Sequence, residues 1–566
     1  MLEGCVQWPA EYARRYREQG YWGNATLFDM LARAAKAHPD KIAVVDGSGR
    51  RTYAELLRNV EALATGLHSI GLRPLDRVVF QLNNGVALVE AFFALARIGA
   101  IPVMALPAHR KSEIAHFARA SGAVALMVPD VVRGFDYRDM ARDVAAECPG
   151  LRHVLIAVQE PAWIAGQARN DNTPGCHAGL DPASMTSWID MRALARSAGE
   201  RPCPCPLPPA EEVALMLLSG GTTGLPKLIP RTHADYLCGC LHAARLAGFG
   251  TDTVYLAVLP IAHNYTLGAP GVVGALACGA TMVIAPATAA EVVFPLIERE
   301  RVTVVSAAVP LAAKWLGSEL LDRCDLSSLK IFMCGGAKLA PELRRRVEQR
   351  LRCTYQESYG TAEGLLNMTR LDDPEAVRMQ SSGRPVSPAD EIRIVDAQGR
   401  EVPDGQTGEL QVRGPYTIRG YYRAPEINAK AFTDDGYYRM GDVAKKVDGY
   451  LYLEGRIKDL INRGGEKISC EEIENHILAH PGIESACVVA MPDEVFGEKA
   501  CAVVILRPDR RLVLNELLEF LQGQNIARFK MPERLEVVSE FPISPAGKVL
   551  RRELQATLAA KWAGSE

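Results

Sequence analysis

The 566-residue chain lacks the marks of several protein classes, and each absence narrows its function. It has no dominant charge: 64 Lys and Arg stand against 67 Asp and Glu, a formal net charge of −3. That balance gives no reason to expect a nucleic-acid surface. Its 14 cysteines show no paired metal-ligand spacing. The nearest approaches, Cys203/Cys205 and Cys238/Cys240, are Cys-x-Cys with no matching second half. They read as reduced thiols of a cytoplasmic protein. The start, Met-Leu-Glu-Gly-Cys-Val-Gln-Trp-Pro, lacks the basic opening and apolar core of a secretory signal. The stretch nearest to a membrane span, Gly268 to Ala290, is dominated by Gly, Ala and Pro, which suits buried α/β packing better than lipid. Neither nucleic acid nor membrane is an expected partner.

What is present reads as a soluble protein of several domains, with 48% hydrophobic and 23% charged residues. Helical periodicity covers Leu27–Ala37, Tyr53–Ile70 and Ala87–Ile98. Apolar runs alternate with it at Ile42–Val45, Arg77–Leu82, Ala123–Val128 and His153–Val158, the pattern of α/β layers with largely parallel sheets. After about residue 385 the texture turns to short β-rich pieces, Glu391–Val395, Gly408–Val412 and Tyr450–Leu453. The last block offers helices Glu471–Ala479 and Leu512–Leu521 with strands Glu484–Ala490 and Ala500–Leu506, enough for a small α+β domain. Residues 161–188 fit neither texture. They are rich in Gly, Asn, Asp, Pro and Ala, and Ala162-Trp-Ile164 is echoed by Ser187-Trp-Ile189. We read them as an inserted surface loop, disordered and dispensable.

The densest chemistry lies in Ser219-Gly-Gly-Thr-Thr-Gly-Leu-Pro-Lys227, directly after the apolar run Val213–Leu218. Glycines let N–H groups approach a ligand closely, and hydroxyls with a lysine complete a concave site for phosphate oxygens. The spacing is not that of a P-loop. It is a phosphate loop of another kind, or a flexible turn after a strand. Further along, Met333-Cys-Gly-Gly-Ala-Lys338 offers close backbone approach to a flat ring. Glu357-Ser-Tyr-Gly-Thr-Ala-Glu-Gly364 supplies an aromatic face and a carboxylate, and Tyr438-Arg-Met-Gly-Asp442 ends in an acid. Gly455-Arg-Ile-Lys-Asp-Leu-Ile-Asn-Arg-Gly-Gly465 and Ser544-Pro-Ala-Gly-Lys548 follow. Alone, Glu363 also reads as a helix N-terminal acid and Asp442 as a turn cap. His233 and His242 read as ordinary helix or surface histidines.

With these motifs in order from Ser219 to Lys548, the chain resembles the adenylate-forming superfamily of acyl- and aryl-CoA synthetases, luciferases and nonribosomal adenylation domains. It is closer still to the stand-alone aryl-acid adenylating enzymes of siderophore pathways. His263-Asn-Tyr265, Ala362-Glu-Gly-Leu-Leu-Asn-Met-Thr-Arg-Leu-Asp-Asp373 and Ile461-Asn-Arg-Gly-Gly-Glu-Lys467 carry that closer likeness. The superfamily often has Thr where this chain has Ala362, but the aryl-acid branch also uses Ala. The fold implied is α/β: a large N-terminal domain, residues 1–456, of two α/β subdomains plus a β-barrel-like one. A small mobile α+β domain, residues 457–566, carries the catalytic lysine.

The resemblance implies ATP and Mg²⁺ as cofactors and two half-reactions. An aromatic carboxylic acid becomes an acyl adenylate, and a phosphopantetheinylated aryl carrier protein then takes the acyl group. Ser219, Gly220, Gly221, Thr222, Thr223, Gly224 and Lys227 would hold the β- and γ-phosphates, and Glu363 would ligate Mg²⁺. Gly335, Gly336, Ala337 and Tyr359 would form the adenine pocket, with Asp442, aided by Arg456, on the ribose. Lys548 would bridge carboxylate and phosphate oxygens. Lys458 would be the hinge that brings Gly464 and Gly465 beside the pantetheine tunnel. His263, Asn264, Tyr265, Ala269 and Leu366 would line the acid pocket. In this family Ser and Val at the positions of Ala269 and Leu366 go with 2,3-dihydroxybenzoate, and Cys and Leu with salicylate. Ala269 matches neither pattern, but the pair favours salicylate. The alternatives are a 2,3-dihydroxybenzoate-AMP ligase, an aryl-CoA ligase using free CoA, and a non-catalytic adenylate-binding protein on the same fold.

Overall fold

The structure, a computed structural model, describes residues 1–158, 179–180, 186–199, 201–219, 226–336, 339–456, 459–463, 466–493, 496–524, 526, 528–544 and 549–563. Two large sheets dominate it. One has nine strands, in the order Arg384–Pro385, Gly364–Met368, Thr354–Thr361, Ile331–Gly335, Val304–Ala307, Val254–Ala257, Thr281–Ile284, Ile42–Asp46, Gly49–Thr52. The other has eight, in the order Leu228–Thr232, Val213–Leu218, Ile101–Met104, Arg77–Phe80, Ala125–Pro129, His153–Ala157, Ser187–Asp190, Gly179–Leu180. Central strands run parallel and antiparallel pairs close the edges.

Alternation along each strand explains the layering. Tyr255 and Ala257 join one buried cluster, while Leu256 and Val258 join another on the opposite face. Strands buried on both faces must be apolar throughout, which is why they read as unbroken runs. The first cluster fills the space between the two sheets and includes the inward faces of helices Leu27–Ala37, Tyr53–Ser69, Val86–Ile98 and His233–Leu246. Three of these helices begin with a reciprocal capping box, on Thr26–Asp29, Thr52–Glu55 and Thr232–Asp235. Each box satisfies backbone donors that the first turn leaves open.

The β-rich stretch forms a four-stranded antiparallel sheet, in the order Glu391–Val395, Thr407–Arg413, Tyr438–Val447, Tyr450–Arg456. The last block makes a separate sheet from Leu460–Arg463, Glu466–Ser469, Ile483–Asp493, Gly497–Leu506 and Arg534–Val537, with its own apolar cluster against helices Cys470–Leu478 and Leu514–Gly523. The inserted-loop reading of 161–188 falls almost wholly outside the described residues. Within it, Trp188 lies on the strand Ser187–Asp190, in parallel register with His153–Ile156.

Candidate active site

The phosphate loop is pinched shut at its base. Ser219, buried at the end of its strand, donates its backbone N–H to the Lys227 carbonyl at 3.0 Å, and its Oγ accepts the Lys227 N–H at 2.9 Å. Gly220, Gly221, Thr222, Thr223 and Gly224, between these two, lie outside the described residues. The Lys227 Nζ sits 4.3 Å from the centroid of the Tyr421 ring.

Glu363 lies in the turn between the strands Thr354–Thr361 and Gly364–Met368, away from any helix N-terminus. The next residue, Gly364, has φ +133°, and a Cβ there would stand 2.3 Å from the Thr417 Cα. Only glycine lets the turn press so closely on the neighbouring chain. The Ile418 N–H then reaches the Glu363 carbonyl at 2.7 Å. From the other side buried Arg231 spans the same junction. It donates to Asp235 Oδ1 at 2.7 Å, to the Ala362 carbonyl at 3.0 Å and to the Tyr416 carbonyl at 3.0 Å. Asp235 is in turn fixed by the capping box on Thr232. The Glu363 side chain is 7% exposed and accepts the Tyr421 hydroxyl on Oε1 at 2.8 Å.

Gly335 ends the strand Ile331–Gly335, and a Cβ on it would lie 2.8 Å from the Tyr265 ring. Gly336 is exposed with φ +89°, and open space lies where its Cβ would be. That space suits a flat base stacked on backbone. Ala337 lies outside the described residues. Asp442 sits within the strand Tyr438–Val447, paired to Arg456, so it caps no turn. Its Oδ1 is 3.1 Å from Arg456 Nε, and its Oδ2 accepts the Tyr359 hydroxyl. Burial and then the Asp442 charge push the Tyr359 hydroxyl well above its ordinary pKa, so it stays a donor.

Asn264 opens the short helix Asn264–Gly268, capped by His263, whose Nδ1 accepts the Tyr265 N–H at 3.3 Å. The Tyr236 hydroxyl, from helix His233–Leu246, donates to Asn264 Oδ1 at 3.0 Å. That helix packs on both the Asn264–Gly268 helix and the strand holding Leu366. Tyr265, Ala269 and Leu366 are buried in the same apolar cluster. His233 itself is buried, accepts the Leu27 N–H, and is held neutral by burial, its pKa lowered to about 4. His242 pairs with the Cys238 carbonyl. Lys458, Gly464, Gly465 and Lys548 lie outside the described residues. Ile543 and Val549 form an isolated antiparallel bridge.

Residues 31–422 match the AMP-binding enzyme family, and residues 472–548 match the AMP-binding enzyme C-terminal domain. The chain belongs to the AMP-binding enzyme family. It is an ATP-dependent, adenylate-forming ligase. The chain is 42% identical to the 2,3-dihydroxybenzoate-AMP ligase of Bacillus subtilis (strain 168), across 99% of both chains. It is 43% identical to the salicyl-AMP ligase / salicyl-S-ArCP synthetase of Mycobacterium tuberculosis, across 98% of this chain and 94% of the other. Its fold matches the apo structure of Mycobacterium smegmatis MbtA with a TM-score of 0.72 and 41% identity, covering 97% and 98% of the two chains. Among the described residues no helix is long and apolar enough to cross a membrane.

Sequence reasoning missed the residues that hold this candidate site in shape: Arg231, Asp235, Tyr236, Asp390, Tyr416, Tyr421 and Tyr438. One signal was readable. Thr232 three residues before Asp235 marks a capped helix start. The tyrosines carried none, because their partners lie far away in sequence. Tyr416, for example, donates to Asp390 beneath the Leu366 backbone.

Proposed function

We propose that this AMP-binding enzyme adenylates an aromatic carboxylic acid, salicylate before 2,3-dihydroxybenzoate, and passes the acyl group to the phosphopantetheine thiol of a separate aryl carrier protein, as a step toward a siderophore. The carrying observation is the Tyr236–Asn264 bond. With its oxygen occupied by Tyr236, the Asn264 amide keeps its N–H donors for an acid carboxylate and an ortho oxygen. Ala269 offers no hydroxyl to a 3-hydroxyl group, and Leu366 takes up space beside it. A buried hydroxyl without a partner costs about 1–3 kcal/mol, roughly a tenfold to hundredfold preference.

In the first half-reaction the carboxylate oxygen attacks the α-phosphorus of ATP. The new O–P bond forms as the bond to pyrophosphate breaks. In the second, the thiol loses its proton, its sulfur attacks the acyl carbon, and AMP leaves with the carboxyl oxygen. Negative charge on phosphate oxygens dominates both, so positioning and fixed positive groups do most of the catalysis. Ser219, Lys227 and the loop between them would steady the leaving pyrophosphate. Lys548 would bridge the attacking carboxylate and the α-phosphate. Gly335, Gly336, Ala337 and Tyr359 would frame the base, and Asp442 with Arg456 the ribose.

The donor set also fits Mg²⁺. Among the described residues no group of three His, Cys, Asp or Glu side chains forms a closed metal cage. Mg²⁺ uses one or two carboxylates together with nucleotide phosphates. Glu363 is such a carboxylate, with Oε1 given to Tyr421 and Oε2, among the described residues, left for a cation. When bound there, the ion would neutralise phosphate charge.

We place the boundary between the domains after Arg456, with Lys458 as hinge and Gly464-Gly465 as the loop that flanks the pantetheine arm in the second half-reaction. The test is ATP–pyrophosphate exchange with aromatic acids, followed by parallel offers of phosphopantetheinylated carrier and free CoA. Acid-dependent exchange and transfer to the carrier are expected. No exchange with any aromatic acid overturns the reading, and transfer to CoA alone makes the chain an aryl-CoA ligase.

A further inference from the structure

Tyr421 stands between the two charged groups assigned above to the phosphates and the metal. Its hydroxyl donates to Glu363 Oε1 at 2.8 Å, and its ring face lies 4.3 Å from the Lys227 ammonium nitrogen. Tyr421 is 2% exposed and Glu363 is buried, so the hydroxyl contact is made out of water, while Lys227 is half-buried. A phenol has a single O–H. Because that proton goes to Glu363, the hydroxyl of Tyr438, 3.1 Å away, must donate to the Tyr421 oxygen. Two hydroxyls in series therefore end on the carboxylate.

The backbone around Tyr421 is tied to both partners' segments. Its neighbour Tyr422 donates its N–H to the carbonyl of Leu228, the residue after Lys227, at 3.0 Å. Ile418, three residues earlier, donates to the Glu363 carbonyl at 2.7 Å. Asn428 brackets Tyr421 itself, accepting its N–H at 2.8 Å and donating to its carbonyl at 3.0 Å. Tyr421 is thus held in place by backbone while its side chain touches the carboxylate through the hydroxyl and the ammonium through the ring.

We propose that Tyr421 is a positioning residue that sets the Glu363 carboxylate and the Lys227 ammonium at one fixed spacing, with Tyr438 as the second hydroxyl of the relay. It rests on the adenylation reading, because it takes Glu363 and Lys227 as the groups that meet the metal-bearing triphosphate. The hydroxyl serves the metal side and the ring serves the phosphate side, so the two functions separate by substitution. Tyr421→Phe keeps the ring under Lys227 and removes the hydroxyl. Tyr421→Leu removes both.

The test is calorimetric titration of the full-length protein with ATP, with and without Mg²⁺, alongside the Mg²⁺ dependence of acid-driven exchange. For Tyr421→Phe, affinity for Mg·ATP should fall about tenfold, the scale on which an outer partner of a metal ligand acts. The Mg²⁺ concentration for half-maximal exchange should rise in step. Metal-free ATP affinity and the KM for the aromatic acid should stay as in the wild type. Tyr421→Leu should weaken metal-free ATP as well. Tyr438→Phe, which leaves Tyr421 in place, should shift Mg·ATP affinity in the same direction by less, and it decides the matter if the Tyr421 variants fail to fold. An unchanged Mg²⁺ response in the Phe variants overturns the proposal, as does an equal loss of every affinity with a lowered Tm. Calorimetry reads Tyr421 even where no acid drives exchange, a result that would overturn the adenylation reading instead.

Discussion

Asp390 shows what a single residue contributes out of sight of the chemistry. It is half-buried beside Tyr416 with its Oδ1 enclosed, and burial pushes its carboxyl up to about 8. In the unfolded chain an aspartate titrates near pH 3.9. Between those values the folded protein keeps a proton that the unfolded chain has lost, so the stability from this group falls as pH climbs from about 4 to about 8 and is level above. Asp390→Asn, which keeps an acceptor for the Tyr416 hydroxyl, should gain in Tm over the wild type between pH 5.5 and pH 8.5. Equal Tm differences at the two pH values would contradict the assignment. At this scale the sequence disclosed the candidate ligand groups and hid the groups behind them. Glu363 and Asp442 could be named because each sits in one of the ordered motifs that carry the family resemblance. Asp390 could not, since its partner Tyr416 is 26 positions away and nothing local marks the pair.

Among elements, the helix His233–Leu246 organises the site more than any other. Its first turn holds the Thr232–Asp235 box, its Tyr236 meets Asn264, and Arg231 just before it ties the Glu363 turn to the Tyr416 segment. Removing one partner of a buried ion pair leaves the other uncompensated, at about 3–5 kcal/mol. Arg231→Met should therefore cost about that much in urea unfolding. A loss below about 1 kcal/mol would mean that Arg231 is not the joint described here. Element type was plain from the sequence, because long apolar runs and 3.6-residue periodicity survive any context. Ends were less so. The strand expected over Glu484–Ala490 runs from Ile483 to Asp493, as its hairpin partner continues to pair with polar residues as far as Asp493–Gly497. The strand expected over Tyr450–Leu453 continues to Arg456 for the same reason: backbone pairing opposite Asp442, rather than apolar pattern, sets its end.

For the molecule as a whole, the repeated Trp-Ile bears on the inserted segment. Trp188 sits in the strand beside Val154, with the Arg142 guanidinium 5.6 Å from its ring. Deleting Ile164–Trp188 would bring Trp163 directly before Ile189, restoring the same local sequence at that strand. Turnover should be retained, and a large loss in a steady-state assay would show that the insert is needed. The layered architecture was legible from alternating helices and strands, whereas the way one helix joins Asn264 to the Glu363 turn was not, since it depends on which faces meet. The claim that matters most is the choice of acid by Asn264, Ala269 and Leu366. It is tested most directly by ATP–pyrophosphate exchange with salicylate and 2,3-dihydroxybenzoate in parallel. A kcat/KM for salicylate about tenfold to hundredfold higher is expected from the missing partner for the 3-hydroxyl. A higher kcat/KM for 2,3-dihydroxybenzoate would contradict it.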